Sequence, residues 1–373
     1  MPDQRAFTLA FTTNPGLEDL AFDELRERLG ADGEAVLRLP SPVRGRLQVT
    51  LGVSPGRALR AAWRMRSVHH VLRPLAELSL PVEEPLARLE RILAEVPVPE
   101  LGPAVPFRVT AKRHGTHGFG SPDVERRAGA ALRRRFGARV DLEGYAVEVL
   151  ITIVGATCLV ALRLSRRGLS RRFRRVYHYP AALRANVAYA ALRLAGAGPS
   201  TRRVLDPFCG SGTLLLEAGA LAPGAELWGS DWRSRAVTGT GANLEAAGLA
   251  PRATLRQADA RRLAESWPEC SVDLLAGNPP FGRRLGSGMD FRDFYGRVLE
   301  QIDRILAPAG RAVLLADHRV ALEQATARQG SFRVTRTRVV DVGGIFPGIV
   351  LLERVRPAGA AASPGSDTGG SSG

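Results

Sequence analysis

Cysteine is scarce in this sequence, and its three cysteines lie far apart. Cys158, Cys209 and Cys270 show no spacing typical of a metal site, and their odd number argues against a disulfide framework. The six histidines form no metal-binding pattern either. No apolar run is long enough to span a membrane, and no signal-peptide core follows the first residues. We therefore expect a cytoplasmic protein that needs neither a membrane nor a metal ion.

Acidic residues are too few to balance the basic ones. The chain of 373 residues has 52 lysines and arginines against 37 acidic residues, a formal net charge of +15. Such an excess predicts a polyanionic partner, because cationic side chains that neutralise phosphates release condensed counterions. A genomic preference for arginine would give the same excess, so charge alone favours a nucleic-acid partner without establishing it. The length fits two or three domains.

The first part of the chain predicts a small α+β unit. A strand over Ala6–Thr12 is followed by the turn Asn14-Pro15-Gly16. Apolar residues then recur at helical spacing over Leu17–Leu29, and Gly30 stands where glycine ends many helices. A second strand is expected over Arg46–Leu51.

A second segment begins near Ala61. Here we predict a strand over Phe107–Ala111 and a helix over Ser121–Phe136, which opens with residues typical of a helix start. The β-branched runs Val147–Val154 and Thr157–Leu164 are separated by a glycine and predict a hairpin.

One basic stretch is a candidate for contact with nucleic-acid phosphates. The arginine-rich run 165–175 could be a solvated linker, but together with the net charge it favours a phosphate-binding surface between domains. Its candidate residues are Arg171, Arg172 and Arg174.

From residue 180 the pattern changes to alternating helices and apolar strands. We predict helices over Ala181–Leu194 and Thr213–Ala220, and a final antiparallel pair over Phe332–Asp341 and Ile349–Val355. Such alternation is typical of a parallel sheet, which binds its ligand at the carboxyl ends of the strands. The tail after Arg356 is expected to be disordered. The other strands are expected at Val204-Leu205, Glu226–Ser230, Ala253–Gln257, Val272–Ala276 and Ala312–Ala316.

A glycine-rich loop, Asp206-Pro207-Phe208-Cys209-Gly210-Ser211-Gly212-Thr213, joins the first of these strands to a helix. Glycine lets the backbone approach a ligand, and a helix N-terminus offers free N–H groups. The loop lacks the third glycine of a dinucleotide fingerprint and the Gly-Lys-Ser/Thr of a phosphate loop. Asp231, after the second strand, can accept from two ribose hydroxyls, and Asp259-Ala260, after the third, can bind an adenine edge. A nicotinamide cofactor would fit the loop and Asp231 equally well.

The decisive motif is Asn278-Pro279-Pro280-Phe281-Gly282, directly after the fourth strand. The prolines fix the backbone, so the Asn278 carboxamide and a rigid carbonyl can both accept from one amino group. Phe281 can stack on a base. Two acceptors favour a pyramidal nitrogen and orient its lone pair toward a methyl donor. The motif therefore predicts methylation of an exocyclic amine by positioning and electrostatics, without a strong general base.

The chain resembles the THUMP-domain RNA guanine-N2 methyltransferases across nearly its whole length. Residues 178–356 are similar to a class I S-adenosylmethionine-dependent methyltransferase with an (Asn/Asp)-Pro-Pro-(Tyr/Phe) motif. Four segments resemble ferredoxin-like and THUMP domains: Asn14-Pro15-Gly16-Leu17-Glu18, Phe107-Arg108-Val109, Ser121–Arg126 and Leu162–Ser165. The implied α/β fold has a Rossmann-like methyltransferase domain over 180–356, after a ferredoxin-like domain over 1–60, a THUMP domain over 61–168 and a basic linker over 169–179, with a tail over 357–373.

The resemblance implies S-adenosylmethionine as cofactor and RNA as partner. The THUMP region would bind the RNA, with Lys112, Arg113 and His114 as the candidate contacts. In the catalytic motif, which includes Pro280, Asn278 and Pro279 would hold the target amine, and Phe281 would stack on a flipped guanine. The stretch Asn278–Ser287 is more similar to tRNA acceptor-stem enzymes than to ribosomal RNA enzymes. The cofactor would be surrounded by Asp206, Phe208, Gly210, Gly212, Thr213, Asp231, Trp232, Asp259, Ala260 and Asn278.

The sequence departs from the family pattern at two positions. Phe281 replaces the commoner tyrosine, and Trp232 stands where a smaller aliphatic residue is usual. Guanine-N2 methylation of ribosomal RNA and adenine-N6 methylation stay open, as does the oligomeric state. The THUMP-like half disfavours a protein glutamine substrate. The intact motif set disfavours a non-enzymatic RNA-binding protein, and the sequence lacks the Ser-Gly-Gly-x-Asp-Ser loop of a THUMP-linked thiolation enzyme.

Overall fold

The computed structural model describes residues 7–179, 182–281 and 288–355. Within these ranges the chain forms two seven-stranded sheets, one from each half. The segment Gly282–Ser287, which ends the proline motif, and the predicted tail lie outside the described residues. No helix in the described ranges is long and apolar enough to cross a membrane.

The N-terminal half of the chain forms the first sheet and the helices that accompany it. Its strands run in the order β2-β3-β1-β4-β7-β6-β5 and are antiparallel except for β5 and β6, which α4 connects in parallel. The elements are β1 (Phe7–Thr12), α1 (Glu18–Leu29), β2 (Val36–Leu39), β3 (Arg46–Leu51), α2 (Pro55–Trp63), β4 (His70–Ser79), α3 (Pro85–Glu95), β5 (Phe107–His114), α4 (Ser121–Phe136), β6 (Val147–Val154) and β7 (Thr157–Arg163).

The apolar stripe expected on α1 is buried. Leu20, Leu25 and Leu29 are each less than 5% exposed and pack into the interior. The expected domain boundary near residue 60 does not coincide with a break in the sheet, because β4 pairs with β1 on one side and β7 on the other. The regions expected to be ferredoxin-like and THUMP domains therefore share one continuous sheet.

The second sheet has the parallel core that the sequence predicts. Its order is β10-β9-β8-β11-β12-β14-β13, in which only the pairs that involve β14 are antiparallel. The elements are α5 (Ala185–Leu194), β8 (Arg203–Asp206), α6 (Thr213–Leu221), β9 (Glu226–Asp231), α7 (Ser234–Ala246), β10 (Ala253–Gln257), β11 (Val272–Gly277), α8 (Phe291–Ile305), β12 (Leu306–Ala316), α9 (Arg319–Gln329), β13 (Phe332–Val339) and β14 (Gly348–Arg354).

Three expected boundaries were wrong by three or more residues. Strand β5 ends at His114 and not at Ala111, because it pairs with β6 as far as Val154. The first helix of the second half begins at Ala185 and not at residue 181, because Arg184 has extended backbone angles and precedes the helix. Strand β12 begins at Leu306 and not at Ala312, because Leu306 already pairs with Val272 before the register shifts. The intervening proline and glycine hide this early part of the strand in the sequence.

A buried ion cluster joins the two halves. Glu217 of α6 is fully buried, and its carboxylate accepts from Arg66 at 2.9 Å and from Arg172 at 2.8 Å. Arg66 follows α2, whereas Arg172 belongs to the basic stretch between the halves. Burial of this carboxylate is compensated by two guanidinium groups, so removal of either arginine would leave it poorly paired.

Candidate active site

A cleft of about 810 Å³ lies at the carboxyl ends of the parallel strands. Strands β8, β9, β10 and β11 end on this edge, and the loop after each of them contributes to the wall. This volume suits a ligand of nucleoside size or larger. Nearly all the predicted catalytic and cofactor residues line the cleft: Asp206, Phe208, Gly210, Thr213, Asp231, Trp232, Asp259, Ala260, Asn278, Pro279, Pro280 and Phe281.

The glycine-rich loop folds against β9 and α7. Cys209 N–H donates to the Ser230 carbonyl at 2.9 Å, and Thr240 Oγ1 donates to the Gly210 carbonyl at 3.1 Å. Gly210 and Gly212 both have positive φ, which favours glycine. Gly212 is not among the cleft residues. It lies close to α7, where a Cβ on it would be 3.0 Å from Thr240 Cγ2. Its part in the site is to turn the chain into α6.

Asp206 ends β8 at the bottom of the cleft and is 2% exposed. Its Oδ1 accepts from Phe208 N–H at 3.0 Å. Burial raises the pKa of Asp206 to about 8, and the charge of Asp231 acts in the same direction. A buried carboxyl of this kind is ready to pair with a cation that enters the cleft, because such a partner favours its charged form. Burial also raises the pKa of the Cys209 thiol beside it.

Asp231 ends β9 and Asp259 follows β10, and the two carboxylates have different hydrogen-bond partners. Asp231 accepts from Gly210 N–H at 3.1 Å and Arg233 N–H at 3.0 Å, and burial raises its pKa despite these bonds. Asp259 is half-exposed and pairs with the Arg261 guanidinium at 2.6 Å, which lowers its pKa. Trp232 is 64% exposed, and the Arg233 guanidinium lies 4.6 Å from its ring centre. An exposed indole at the cleft rim can cover a flat ring.

The described part of the proline motif presents a buried side-chain acceptor to the cleft. Asn278 Oδ1 is buried and makes no hydrogen bond to a described residue. Buried polar atoms are nearly always paired, so an unpaired one in a cleft points to a ligand. The far end of the motif is fixed, because His318 Nε2 lies 3.2 Å from the Phe281 carbonyl and the His318 ring stacks on Phe291. The site can therefore accept a hydrogen bond from an amine next to an aromatic ring.

Several cleft residues were not predicted from the sequence. Tyr179 contacts Arg233 through its hydroxyl at 2.8 Å, and Arg184 stands in front of α5 with its side chain exposed. The loop between β13 and β14 supplies Val342, Gly343, Ile345 and Pro347. These residues come from three separate segments, and no local motif marks them. Tyr179 is the last residue of the predicted basic linker 169–179, and Arg184 follows shortly after it, so this linker was the one available signal.

The predicted basic contacts divide into exposed and internal ones. Arg171 and Arg174 are exposed, as are Lys112 and His114, whereas Arg113 lies over the Phe119 ring at 5.7 Å. Arg172 is 16% exposed and is bound to Glu217. Its guanidinium is occupied inside the protein, so it is a poor candidate for a phosphate contact. The described residues contain no group of three or more histidine, cysteine or acidic side chains placed to hold a metal.

Comparison with known families identifies the class of protein. The model described as "RMKL-like, methyltransferase domain" matches residues 172–346, and the THUMP domain model matches residues 86–163. The fold and the cleft are thus those of a methyltransferase joined to a THUMP domain. The expected outer boundaries of these domains stay predictions.

Full-length relatives identify the family. A tRNA (guanine(6)-N2)-methyltransferase from Thermus thermophilus is 38% identical over 93% of this chain and 99% of its own length. The crystal structure of TrmN from Thermus thermophilus is 36% identical, covers 94% of this chain and 100% of its own, and has a TM-score of 0.77. The mouse tRNA (guanine(6)-N(2))-methyltransferase THUMP3 is 30% identical over 68% of this chain. The matched region covers 52% of the length of that relative. The chain belongs to the THUMP-domain RNA guanine-N2 methyltransferases.

The raised pKa of Asp206 predicts a pH-dependent cost of keeping this side chain in the cleft. The pKa rises from 3.8 to about 8 on folding, so the folded protein prefers the protonated form. The contribution of the protonated Asp206 carboxyl to the free energy of unfolding is therefore complete below pH 3.8 and is lost as the pH rises to about 8. In Asp206→Asn, we expect the gain in free energy of unfolding over wild type to grow by up to about 1.4 kcal/mol per pH unit across this window.

Chemical denaturation at a series of pH values measures this difference directly. Asp23→Asn is a suitable control, because it removes an exposed carboxylate from α1. It therefore controls for the loss of one carboxylate charge. A difference between Asp206→Asn and wild type that stays flat across the window would contradict the assignment of a protonated Asp206.

Proposed function

We propose that this protein methylates the N2 amine of guanosine 6 in tRNA with S-adenosylmethionine as methyl donor, in the cytoplasm. The Thermus and mammalian relatives that carry this activity in their names match the chain over most of its length. Other relatives are named as methylating guanine N2 in U6 snRNA, so the amine is the common feature and the RNA varies. The net charge of +15 supports an RNA substrate.

The observation that carries the proposal is the carboxamide oxygen of Asn278, which is buried and makes no hydrogen bond within the described part of the chain. It lies in a cleft whose wall also contains Pro279 and Phe281. An exocyclic amine has two N–H groups, and Asn278 Oδ1 and the Pro279 carbonyl are two acceptors fixed by the proline backbone. Phe281 lacks a hydroxyl, so its contribution is to stack on the guanine ring.

The opposite half of the cleft fits the methyl donor. Ser211 Oγ is buried there without a hydrogen bond to a described residue, and the Asp206 carboxyl lies on the same wall. Asp206 and Phe208 would flank the methionine end, Asp231 would accept from the ribose hydroxyls, and Trp232 with Asp259 and Ala260 would border the adenine. Asp259 already pairs with the Arg261 guanidinium, so its carboxylate has fewer free positions to accept from the adenine amino group than the sequence predicts.

The mechanism that this geometry supports is positioning. When bound, S-adenosylmethionine supplies an electrophilic methyl group. The Asn278 carboxamide and the Pro279 carbonyl accept hydrogen bonds from the two N–H groups of the guanine amine. These bonds favour a pyramidal nitrogen and turn its lone pair toward the cofactor half of the cleft. Phe281 stacks on the flipped base, and the hydrogen bond from His318 Nε2 to the Phe281 carbonyl fixes the backbone at this position.

The exposed cations outline a path for the RNA. Arg171 and Arg174 lie on the stretch that leads into the cleft at Tyr179, and we assign the phosphate contacts to them and not to Arg172. In the THUMP region, Lys112 and His114 are exposed. A cavity of about 540 Å³ in the same region has a largely apolar lining that includes Leu80, Val82 and Leu86, together with Phe119, Arg127 and the acidic Glu84. We therefore assign the RNA contacts of this region to the exposed cations and not to the cavity.

Nucleoside analysis tests the substrate directly. Labelled S-adenosylmethionine is incubated with the protein and either total tRNA or ribosomal RNA, and the products are digested. We expect N2-methylguanosine in tRNA only, and its loss when guanosine 6 of a tRNA transcript is replaced by adenosine. Label in ribosomal RNA, N6-methyladenosine as the product, or no label at all would each contradict the proposal.

Replacement of Asn278 tests the mechanism. Asn278→Ala removes an acceptor from the amine, and we expect the rate of methyl transfer at saturating tRNA to fall roughly 10²-fold or more, with the melting temperature and tRNA affinity nearly unchanged. Asn278→Asp keeps two acceptors and should retain far more activity than the alanine variant. Unaltered turnover in Asn278→Ala would refute the role of this side chain.

Salt dependence tests the phosphate contacts. The logarithm of the tRNA association constant should fall steeply with the logarithm of salt concentration, and Arg171→Ala/Arg174→Ala should make that slope shallower by roughly 1.4 to 1.8. Arg202→Ala/Arg304→Ala removes the same charge near the amino ends of β8 and β11, opposite the cleft. An equal change in both double variants would indicate a general charge effect and contradict the assignment.

A further inference from the structure

The turn Asn14-Pro15-Gly16 contacts the methyltransferase half of the chain. Asn14 is 2% exposed, and its Nδ2 donates to the Asp341 carbonyl at 2.6 Å. In return, Asp341 N–H donates to the Pro15 carbonyl at 3.0 Å. The turn that the sequence predicts as a simple connection is therefore a docking point between the first strand of the chain and the segment before its last strand.

A second set of contacts holds the same junction. Arg338 at the end of β13 donates to the Gly16 carbonyl at 2.9 Å and to Asp19 Oδ2 at 2.7 Å. Gly16 has a φ of +97°, and a Cβ there would lie 2.3 Å from the Val339 carbonyl oxygen. Only glycine allows this approach of the two backbones. Leu17 packs in the same apolar cluster as Val340, which excludes water from the contact.

The segment that is held forms one wall of the cleft. Residues 340–347 make a loop closed by Val340 N–H to the Pro347 carbonyl at 3.0 Å and Val342 N–H to the Ile345 carbonyl at 2.8 Å. The Asp341 carboxylate accepts from Gly343 and Gly344 N–H, each at 2.8 Å. Asp341 thus shapes the loop with its side chain and docks on the turn with its backbone.

The strand order places this loop on the side of the target base. The cofactor loops follow β8, β9 and β10, whereas β14 lies beyond β12 on the other flank of β11. Val342, Gly343, Ile345 and Pro347 therefore face the cleft from the side on which Asn278 and Phe281 stand. Whatever fixes the loop also fixes the space that is left for the guanine.

The Asn14 carboxamide is itself fixed from three directions. Its Oδ1 accepts from Asn186 Nδ2 of α5 at 2.8 Å and from His69 Nε2 at 3.0 Å, while His69 Nδ1 accepts from Ser170 Oγ at 2.9 Å. This pattern requires the proton of a neutral imidazole on Nε2. Burial lowers the pKa of His69 to about 4, in agreement with a neutral ring.

We propose that Asn14 is a positioning residue for methyl transfer: the N-terminal domain holds the 340–347 loop and so shapes the subsite of the target base. The proposal rests on the proposed function and adds a task for this domain beyond any contact with RNA. It predicts that a defect at Asn14 affects the chemical step after both substrates are bound, and leaves the cofactor half of the cleft intact.

The test compares Asn14→Ala with Thr13→Val in the full-length protein. Thr13 Oγ1 donates to the Ser67 carbonyl within the N-terminal half, so its loss removes a buried hydrogen bond of similar kind one residue away. For Asn14→Ala we expect the single-turnover rate at saturating tRNA to fall roughly 10-fold to 100-fold. The dissociation constants for tRNA and S-adenosylhomocysteine should stay within about a factor of two of wild type. Thr13→Val should keep the wild-type rate.

Hydrogen exchange of the amides in 340–347 gives a readout that does not need activity. We expect faster exchange there in Asn14→Ala and not in Thr13→Val. If wild type methylates no guanosine, the proposed function fails, while faster exchange still supports the contact. Weaker tRNA binding with an unchanged single-turnover rate, or equal rate losses in both variants, would overturn the proposal. Should Asn14→Ala fail to fold, Arg338→Ala tests the same junction with the same expected outcomes.

Discussion

The alignment of parallel strands is the constraint on which the site depends. Because β8, β9, β10 and β11 run in one direction, the loops that follow them emerge at one edge of the sheet. Residues spread from Asp206 to Phe281 thereby reach a single cleft. None of these side chains needs to be exceptional. A buried carboxyl, a glycine turn and an unpaired carboxamide become a site because the backbone hydrogen bonds of the sheet bring them to the same level.

The second requirement is that the two halves keep a fixed relation. Glu217 lies on α6, the helix that starts at the glycine-rich loop, and binds arginines from the N-terminal half and from the basic stretch. Arg175 of that stretch donates to Thr213 Oγ1 at the start of the same helix. The glycine-rich loop is thus tied to the N-terminal half and the basic stretch by ionic and polar contacts, while the 340–347 loop is tied to the N-terminal half through Asn14. Both flanks of the cleft depend on the N-terminal half.

The sequence predicted those parts of the fold that local patterns determine. Strand β10 and helix α4 have their expected bounds, and the motif at Asn278 lies directly after β11 as expected. Strand β4 was not predicted, because a proline interrupts it and its pairing with both β1 and β7 is set by residues distant in the chain. Likewise, the pattern of the arginine run could not show that Arg172 faces inward, since its partner Glu217 is 45 residues away.

The same reasoning explains which parts of the cleft escaped prediction. Motifs indicate residues that act together within one loop, whereas Arg184 and Ile345 reach the cleft through packing of elements that share no sequence signal. The exposure of Lys112 and the internal contact of Arg113 with Phe119 also depend on the fold around β5. Residue type therefore predicted cleft residues that belong to local motifs, whereas the other cleft residues depend on how distant elements pack.

The junction between Asn14 and Asp341 has a consequence for biosynthesis. These residues are 327 positions apart, so the ribosome makes the docking turn long before the loop that it holds. Domains generally fold in chain order during synthesis. This wall of the cleft, however, is assembled only when β13, the loop and β14 have left the ribosome. A nascent chain therefore has its N-terminal sheet before the cleft is closed on this side.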